Sequence, residues 1–576
     1  MTVKTPWLSS YRGVPHTLNY PDCSMFDLVE KNAGNYPDNI AYEFMGAKTT
    51  YQELVEKVHI CAKGLAALGF KEGDRITVCM PNTPQGVIMF YAINLLGCVS
   101  NMIHPLSSEG EIKFYLNHSH SKGILILDAF YPKLETILWE LPDLEQIMIA
   151  SISTELKGVM KLGFKLTKGR KIQKPPVRSN ITLYTELMEM GRSYSGQYQA
   201  SKHGADPAAI LYSGGTTGTT KGIILTNLNF NALALQSLAA CDCVIEGHKM
   251  LAIMPIFHGF GLGICIHTMM ISGCVCVLVP QFNVKTYAKL LKKVQPNYIA
   301  GVPTLYEALL RSRNMKNVNL ACLEGVFSGG DSLSIELKRK VDAFLREHGA
   351  TVQIREGYGT TECVTASCLT PKSFFKEGSI GIPYPDTFYK IVKASTKVEV
   401  PYGDEGEICI SGPTVMKEYL DNQEETESTL QLHEDGLLWL HTGDLGTMDE
   451  EGFIYYKQRL KRMIISSGYS IYPSQLENII DAHPDVLMCT VIGVPDPYKV
   501  QKVKAFVVLK NGVAASDEVR ESLRSHCMKN IAKYAMPYEF EFRDKLPQTL
   551  VGKVAYTVLE KEELAKLAEE KESGEA

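Results

Sequence analysis

Residues 212–222 have the composition of a phosphate-binding loop, Tyr-Ser-Gly-Gly-Thr-Thr-Gly-Thr-Thr-Lys-Gly. Apolar residues 208–211 precede them and predict a buried strand, which places the loop at the carboxyl end of that strand. Glycines let the backbone turn its N–H groups towards an anion, while the threonine hydroxyls and Lys221 add donors and charge. A Walker A loop is excluded, because that motif needs Ser or Thr after its lysine and Gly222 stands there. The run predicts a polyphosphate site; a Gly/Thr-rich surface turn is the alternative.

Tyr358, Thr361 and Glu362 form a second group with the chemistry of a nucleotide site. Two glycines flank the tyrosine, which places a flat ring where an adenine could stack. The Thr361 hydroxyl can meet a phosphate, and the Glu362 carboxylate offers the hard oxygen that Mg²⁺ prefers. A Gly-Tyr-Gly turn is weak evidence alone, and its place downstream of the glycine and threonine run strengthens it.

Two further charged residues follow glycines, at Asp444 and Lys553. An aspartate presented by a glycine turn can accept hydrogen bonds from both hydroxyls of a ribose. For Lys553 the residues alone indicate no chemistry, because a Gly-Lys pair is commonplace.

Together these segments resemble the motifs of the adenylate-forming superfamily, which includes acyl-CoA synthetases, luciferases and the adenylation domains of peptide synthetases. The resemblance runs from about Phe26 to Leu559, and the Gly-Gly-Thr-Thr-Gly form is most similar to long-chain fatty acyl-CoA synthetases. Departures from the usual pattern include Thr220, where members carry Pro, Gly214, where many carry Ser, and Gln458, where most carry Gly.

The resemblance implies a binding site for ATP and Mg²⁺. Glu362 would hold the metal, Asp444 and Arg459 would contact the ribose, and Tyr358 would line the adenine. By the same resemblance Lys553 is the catalytic lysine of adenylation, and His258, Thr361 and Glu362 are catalytic. The full expected ATP and AMP site consists of Ser213, Gly214, Gly215, Thr216, Thr217, Gly218, Lys221, Gly330, Asp331, Tyr358, Gly359, Thr361, Asp444 and Arg459.

An apolar substrate pocket is expected around His258, Phe260 and Gly329. A lone His in apolar company is usually structural, but residues 255–262 resemble the aromatic motif of acyl-CoA synthetases and luciferases. Members that activate amino acids carry an Asp shortly after this motif. Residues 259–264 offer no carboxylate, so an amino acid would leave its ammonium unpaired, at a cost of several kcal/mol.

The resemblance also implies a second substrate, CoA. Lys461 occupies the hinge position of the family, and Ser467 and Gly468 resemble the turn beside the pantetheine tunnel. The pair Val500-Gln501 departs from the Gly-Glu that usually follows this part of the lid.

Composition excludes several classes of protein. The chain has 576 residues, 45% hydrophobic and 21% charged, which is typical of globular proteins. A net charge of −5 argues against a nucleic-acid binder. The fifteen cysteines show no Cys-x-x-Cys pair, which favours reduced thiols and a cytoplasmic location. We expect no secretory signal at the start.

Apolar runs alternate with helical patterns and predict parallel sheets covered by helices, an α/β fold. The apolar residues 259–280 approach the length of a membrane span, but Ser272-Gly273 interrupts them, so we predict a buried helix followed by a strand. The resemblance implies a large N-terminal unit of residues 1–460, made of two αβαβα-type subdomains and a small β subdomain. A small mobile α+β lid of residues 461–576 would carry the catalytic lysine.

Residues 155–178 carry eight basic residues against one Glu, interleaved with apolar ones. Such a segment suits peripheral contact with an anionic membrane, and a solvated surface excursion is the equal alternative.

The sequence thus predicts an ATP-dependent acyl-CoA ligase acting on a small-molecule carboxylic acid, most consistent with a medium- or long-chain fatty acid. Alternatives are a ligase for aryl or other bulky carboxylates, and a ligase that loads a carrier protein. More distant ones are a nucleotide-binding protein without turnover and a luciferase-like oxygenase.

Overall fold

The computed structural model describes residues 3–173, 175–213, 220–466, 469–549 and 552–573. These residues form four β-sheets with helices between and around them, so the predicted α/β fold is confirmed. The strands are β1 (Ile40–Phe44), β2 (Ala47–Thr50), β3 (Arg75–Cys79), β4 (Val99–Met102), β5 (Gly123–Leu127), β6 (Gln146–Ala150), β7 (Ile181–Leu183), β8 (Pro207–Ser213), β9 (Lys221–Thr226), β10 (Lys249–Ala252), β11 (Val275–Leu278), β12 (Tyr298–Gly301), β13 (Gly325–Ser328), β14 (Ile354–Tyr358), β15 (Cys368–Leu369), β16 (Ile382–Pro383), β17 (Phe388–Val392), β18 (Gly406–Ser411), β19 (Glu418–Tyr419), β20 (Leu430–Leu432), β21 (Leu438–Met448), β22 (Ile454–Arg459), β23 (Ile464–Ser466), β24 (Tyr469–Ile471), β25 (Val486–Asp496), β26 (Val500–Leu509) and β27 (Glu539–Phe542).

The α-helices are α1 (Met25–Ala33), α2 (Tyr51–Ala67), α3 (Pro84–Leu95), α4 (Glu109–His118), α5 (Tyr131–Glu135), α6 (Gly158–Leu166), α7 (Tyr184–Ser193), α8 (Asn227–Cys241), α9 (Met269–Ile271), α10 (Val284–Val294), α11 (Pro303–Arg311), α12 (Ile335–Glu347), α13 (Gln423–Thr429), α14 (Pro473–Asp481), α15 (Asp517–Asn530) and α16 (Tyr556–Ser573). A π-helix spans Phe260–Thr268. Short 3₁₀-helices lie at Pro6–Ser10, Asp128–Phe130, Leu138–Glu140, Ile152–Thr154, Lys168–Lys171, Arg313–Met315, Thr361–Cys363, Leu460–Arg462 and Lys533–Ala535.

Two large sheets carry most of the chain up to β16. The eight-stranded sheet has the order β19-β9-β8-β4-β3-β5-β6-β7, and the nine-stranded sheet has the order β16-β15-β14-β13-β12-β10-β11-β1-β2. Their central strands are parallel, so the segments that follow those strands gather at one edge of each sheet. Parallel strands covered on both faces are rich in apolar residues, which is why their runs stand out in the sequence.

Helix α3 is buried over its whole length, and α8 over most of it. Such helices lack a polar face because packing surrounds them. Thr83 caps α3 through the backbone N–H of Gly86, and the fixed φ of Pro84 suits the first helical position. The main hydrophobic core runs through both helices and both large sheets.

Two smaller sheets follow along the chain. The third has the order β17-β18-β21-β20, with β22 paired to β21. The fourth has the order β24-β23-β26-β25, with β27 paired to β26. Buried residues of the fourth sheet and its helices form their own clusters, drawn wholly from residues after Met463.

Residues 259–280 form the π-helix, α9 and β11, which confirms the predicted helix followed by a strand. Gly261 lies in the π-helix, where a Cβ would fall 2.1 Å from the carbonyl oxygen of Pro255. Among the described residues, no helix is both long and apolar enough to cross a membrane.

Candidate active site

The adenine and ribose motifs predicted from sequence meet directly. The Tyr358 hydroxyl donates to Oδ2 of Asp444 at 2.6 Å. Arg459 lies opposite Asp444 in the β21–β22 pair, with its Nε 3.2 Å from Oδ1. Burial raises the pKa of the Asp444 carboxyl, while Arg459 and Tyr358 act against that rise. The buried Asp444 carboxylate is therefore held by a hydrogen bond from Tyr358 and by an ion pair with the partly exposed Arg459.

Oδ1 of Asp444 is buried and accepts no hydrogen bond from the described residues. A buried acceptor left in this state costs free energy, and a vicinal diol would supply the missing donors. Gly443 supports this presentation, because its φ of 68° lies in the left-handed region that favours glycine. The arrangement therefore suits a ribose.

Glu362 lies in the 3₁₀-helix Thr361–Cys363, directly after β14. Its Oε1 accepts a hydrogen bond from the Tyr419 hydroxyl at 2.8 Å. Lys221 stands over the Tyr419 ring, 4.8 Å from its centroid, and pairs with Glu425. A carboxylate, a phenol and an ammonium group thus lie near the start of β9, which follows the glycine and threonine run.

Lys553 reaches the nine-stranded sheet from the C-terminal part of the chain. A Cβ on Gly330 would lie 3.5 Å from its Cε. Burial lowers the pKa of the Lys553 ammonium; Asp331 opposes this change and Arg459 adds to it. Burial also raises the pKa of the Asp331 carboxyl, and Lys553 acts against that rise. Asp331 thus partly offsets the effect of burial on the pKa of the Lys553 ammonium.

An apolar cavity of about 620 Å³, part of it open to solvent, adjoins the Gly329-Gly330 turn. It follows the face of the nine-stranded sheet beneath α8 and the π-helix. Met250 and Tyr298 pair across β10 and β12 and line its inner part. The lining residues are Ser237, Cys241, Val244, Met250, Phe260, Ile264, Thr268, Met269, Tyr298, Phe327, Ser328, Gly329, Gly330, Gly357, Thr365, Ala366, Leu369 and Tyr384.

His258 does not line this cavity, whereas Phe260 and Gly329 do. Its Nδ1 accepts a hydrogen bond from the backbone N–H of Phe260 at 3.2 Å. Burial, with a smaller contribution from Lys553, lowers the pKa of His258 to about 3. The imidazole is therefore neutral, and it lies near enough to Lys553 for the ammonium charge to lower its pKa.

Several predicted residues lie outside the described part of the chain. These are Gly214, Gly215, Thr216, Thr217 and Gly218 of the phosphate run, and Ser467 and Gly468 of the expected CoA turn. Ser213 ends β8, and Gly359 follows Tyr358 at the end of β14. Lys461 lies in the 3₁₀-helix Leu460–Arg462, between β22 and β23.

Two family models match this chain. The model described as AMP-binding enzyme covers residues 29–420, and the one described as AMP-binding enzyme C-terminal domain covers residues 475–553. The chain belongs to the AMP-binding enzyme family. This membership confirms the predicted relationship to adenylate-forming enzymes of the acyl-CoA synthetase branch.

Curated relatives of this AMP-binding enzyme match it over nearly its whole length. A long-chain-fatty-acid–CoA ligase of Bacillus subtilis (strain 168) is 34% identical over 571 residues, covering 98% of this chain and 99% of the relative. A protein of the same name from Escherichia coli O6:H1 is 31% identical over 565 residues, covering 96% and 97%.

Solved structures share the fold. An anthranilate CoA ligase in complex with anthranoyl-AMP superposes with a TM-score of 0.81 at 24% identity, covering 96% of this chain and 99% of the other. An ATP-bound RpMatB-BxBclM chimera gives a TM-score of 0.81 at 25% identity, covering 94% and 99%.

The structure adds residues to this AMP-binding enzyme's site that the sequence did not point out. Glu407, on β18, accepts through Oε1 from the backbone N–H of Gly443 at 2.9 Å and through Oε2 contacts His441 at 2.9 Å. Among the described residues, Glu407, His441 and Cys409 are the single group whose ligand atoms lie close enough together to hold a metal ion. Their hydrogen bonds support the turn that presents Asp444. The distant pairing of β18 with β21 creates this contact, and no local pattern predicts it.

Tyr419 and Thr304 are further contacts that the sequence did not reveal. Tyr419 holds the Glu362 carboxylate from β19, at the edge of the eight-stranded sheet. The Thr304 hydroxyl donates to the carbonyl oxygen of Gly552 at 2.7 Å. Neither residue belongs to a motif of glycines or charges, so only the folded chain brings it to the site.

Proposed function

We propose that this AMP-binding enzyme is an ATP-dependent acyl-CoA ligase for medium- or long-chain fatty acids. One observation carries the proposal: the apolar cavity starts at the glycine turn that the Lys553 side chain reaches. A fatty acid in this cavity would present its carboxylate beside an ammonium group and close to Asp444. An ATP α-phosphate bound there would face that carboxylate.

The reaction has two steps. A carboxylate oxygen attacks the α-phosphorus of ATP, the bond to the β-phosphate breaks, and pyrophosphate leaves with its electron pair. The sulfur of CoA then attacks the acyl carbonyl carbon and loses its proton, and AMP leaves. Lys553 offsets the repulsion between the two anions of the first step, since a cation placed where negative charge concentrates stabilises the transition state.

Asp444 and Arg459 bind the ribose in this proposal, and the Tyr358 ring lines the adenine. The phosphates are bound by residues 213–218, Lys221 and Thr361. Gly330, Asp331 and Gly359 border the nucleotide, while Phe260 and Gly329 border the acyl group. His258 contributes as a neutral imidazole beside Lys553, because its pKa lies far below neutrality.

Glu362 would hold Mg²⁺, which would offset charge on the phosphates of ATP. Tyr419 occupies only one of the two carboxylate oxygens, and a hard oxygen donor beside a phosphate site is the ligand that Mg²⁺ prefers.

We divide the chain into residues 1–460, which hold ATP and the acyl group, and residues 461–576, a lid that delivers Lys553. The separate hydrophobic clusters after Met463 support this division. For the second step the lid turns at Lys461, withdraws Lys553 and brings Ser467 and Gly468 to the CoA thiol.

AMP release across a panel of acids tests the substrate class. We expect turnover with medium- and long-chain fatty acids when CoA is present, and little with benzoate or anthranilate. Strong preference for aromatic acids would favour an aryl-CoA ligase. Turnover with an acyl carrier protein but not with CoA would favour a carrier-loading ligase. Unchanged ATP with every acid would instead indicate a nucleotide-binding protein without turnover.

We further propose that this enzyme is cytoplasmic and makes peripheral contact with an anionic membrane. Helix α6 exposes Met160, Leu162 and Leu166 within the basic residues 155–178. Apolar side chains beside basic ones suit an anionic bilayer surface. A variant with Lys157 and Lys161 changed to Gln should sediment less with anionic liposomes than the wild type. Equal sedimentation of the two proteins would contradict this contact.

A further inference from the structure

Helix α11 makes a short hydrogen bond to the loop that carries Lys553. The Thr304 hydroxyl, in the first turn of α11, donates to the carbonyl oxygen of Gly552 at 2.7 Å across 248 residues of sequence. Gly552 has a φ of 86°, and a Cβ there would lie 3.3 Å from Cγ2 of Val302. The loop therefore approaches the start of α11 closely, by means of a glycine whose conformation other residues rarely adopt.

The backbone of Lys553 is linked to this contact by hydrogen bonds within its own loop. The carbonyl oxygen of Lys553 accepts from the backbone N–H of Thr549 at 2.7 Å, and its N–H donates to the Thr549 hydroxyl at 3.1 Å. Gly552 in turn donates its N–H to the carbonyl oxygen of Thr549 at 2.9 Å. Fixing the Gly552 carbonyl thus fixes the backbone from which the lysine side chain extends.

A second contact on this loop is weaker. The backbone N–H of Val554 lies 3.4 Å from Oδ2 of Asp331, at the long end of the range for hydrogen bonds. Among the described residues around Lys553, Thr304 therefore makes the better-formed of the two hydrogen bonds that anchor this loop to the side of the nine-stranded sheet. It has no place in the cavity lining or in the nucleotide site.

We propose that Thr304 is a positioning residue that holds the Lys553 loop in place for the first half-reaction only. The inference rests on the proposed function, in which the lid withdraws Lys553 before CoA reacts. A hydrogen bond made only in the adenylation arrangement stabilises that arrangement and contributes nothing to the later one. Its loss should therefore slow adenylation and spare thioester formation.

The direct test is Thr304→Val, which keeps the shape of the side chain and removes the hydroxyl. Carboxylate-dependent ATP–pyrophosphate exchange should fall about 3- to 10-fold, the effect expected from one uncharged hydrogen bond. Thioester formation from supplied acyl-adenylate and CoA should stay at the wild-type rate or rise. Thr304→Ser, which restores the donor, should recover most of the exchange activity.

Thr286→Val is the matched control, because it removes a hydroxyl from the first turn of the neighbouring helix α10, where the group bonds only to Asn283 within its own turn. It should leave both half-reactions unchanged. Should the valine variant at position 304 not fold, Thr304→Ala removes the same hydroxyl and carries the same expectation.

Equal losses in the two half-reactions, or full exchange activity without the hydroxyl, would overturn the role of Thr304. A wild-type protein that releases no AMP with any carboxylic acid and CoA would instead refute the proposed function itself. The two failures are thus distinguished by the wild-type assay.

Discussion

The hydroxyl of Tyr358 lies 2.6 Å from Oδ2 of Asp444 and joins β14 of the nine-stranded sheet to β21 of the third sheet. These residues come from two motifs separated by 86 positions. This hydrogen bond occupies one oxygen of the carboxylate, and the other pairs with Arg459 but accepts no hydrogen bond from the described residues. The tyrosine hydroxyl thus orients the aspartate, and in our proposal the ring also lines the adenine.

Tyr358→Phe should raise the KM for ATP about 3- to 10-fold, because it removes this hydrogen bond and leaves a buried acceptor unpaired. The change in kcat should be smaller. Steady-state kinetics with ATP varied at saturating acid and CoA checks this expectation. Tyr455→Phe is a matched control, since Tyr455 also donates to an aspartate, Asp449, but lies outside the nucleotide site. An unchanged KM in the Tyr358 variant would contradict the orienting role.

Cys241→Phe should shift the enzyme's preference from long to shorter fatty acids. Cys241 ends α8 and lines the inner cavity together with Val244 and Met250, so an added ring would fill space that a long chain needs. AMP release across saturated acids of increasing length measures the shift. Cys322→Phe adds the same ring outside the cavity and should keep the wild-type profile. A long-chain preference retained by the Cys241 variant would place the acyl group elsewhere.

Glu307→Gln should change how stability depends on pH. Burial raises the pKa of Glu307, on α11, to about 7, with Arg311 and Lys340 acting against the rise. Because this pKa is higher in the folded chain than in the unfolded one, the folded state loses stability as pH rises from about 4.5 to about 7. Glutamine cannot ionise, so it avoids that loss.

The difference in unfolding free energy between Glu307→Gln and the wild type should therefore grow in favour of the variant from about pH 4.5 to about 7 and then level off. Chemical denaturation at several pH values measures it. A constant difference across this range would contradict a raised pKa at Glu307.

Much of the fold could be predicted because its central elements are buried on both faces. The strand Gly123–Leu127 and the helix α3 appear in the sequence as continuous apolar runs for this reason. The π-helical geometry of Phe260–Thr268 could not be predicted, because a helix that is apolar all round has no periodic face to measure.

Candidate site residues could be predicted where chemistry requires glycine or charge in a short motif, as at Asp444 and Lys553. Thr304, Tyr419 and Glu407 act through single contacts that pairing of distant strands or docking of distant segments creates. Each is an ordinary residue in its local sequence. Tertiary geometry alone gives it a partner.

The account depends most on Lys553, which lies beside the apolar cavity with Asp331 and Arg459 around it. Lys553→Ala removes the cation and leaves the nucleotide and acyl sites in place. The decisive measurement is carboxylate-dependent ATP–pyrophosphate exchange by this variant, beside thioester formation from supplied acyl-adenylate and CoA. We predict that exchange falls by at least about 100-fold, consistent with the loss of one charged transition-state contact, while thioester formation persists. Exchange at the wild-type rate would contradict the central claim.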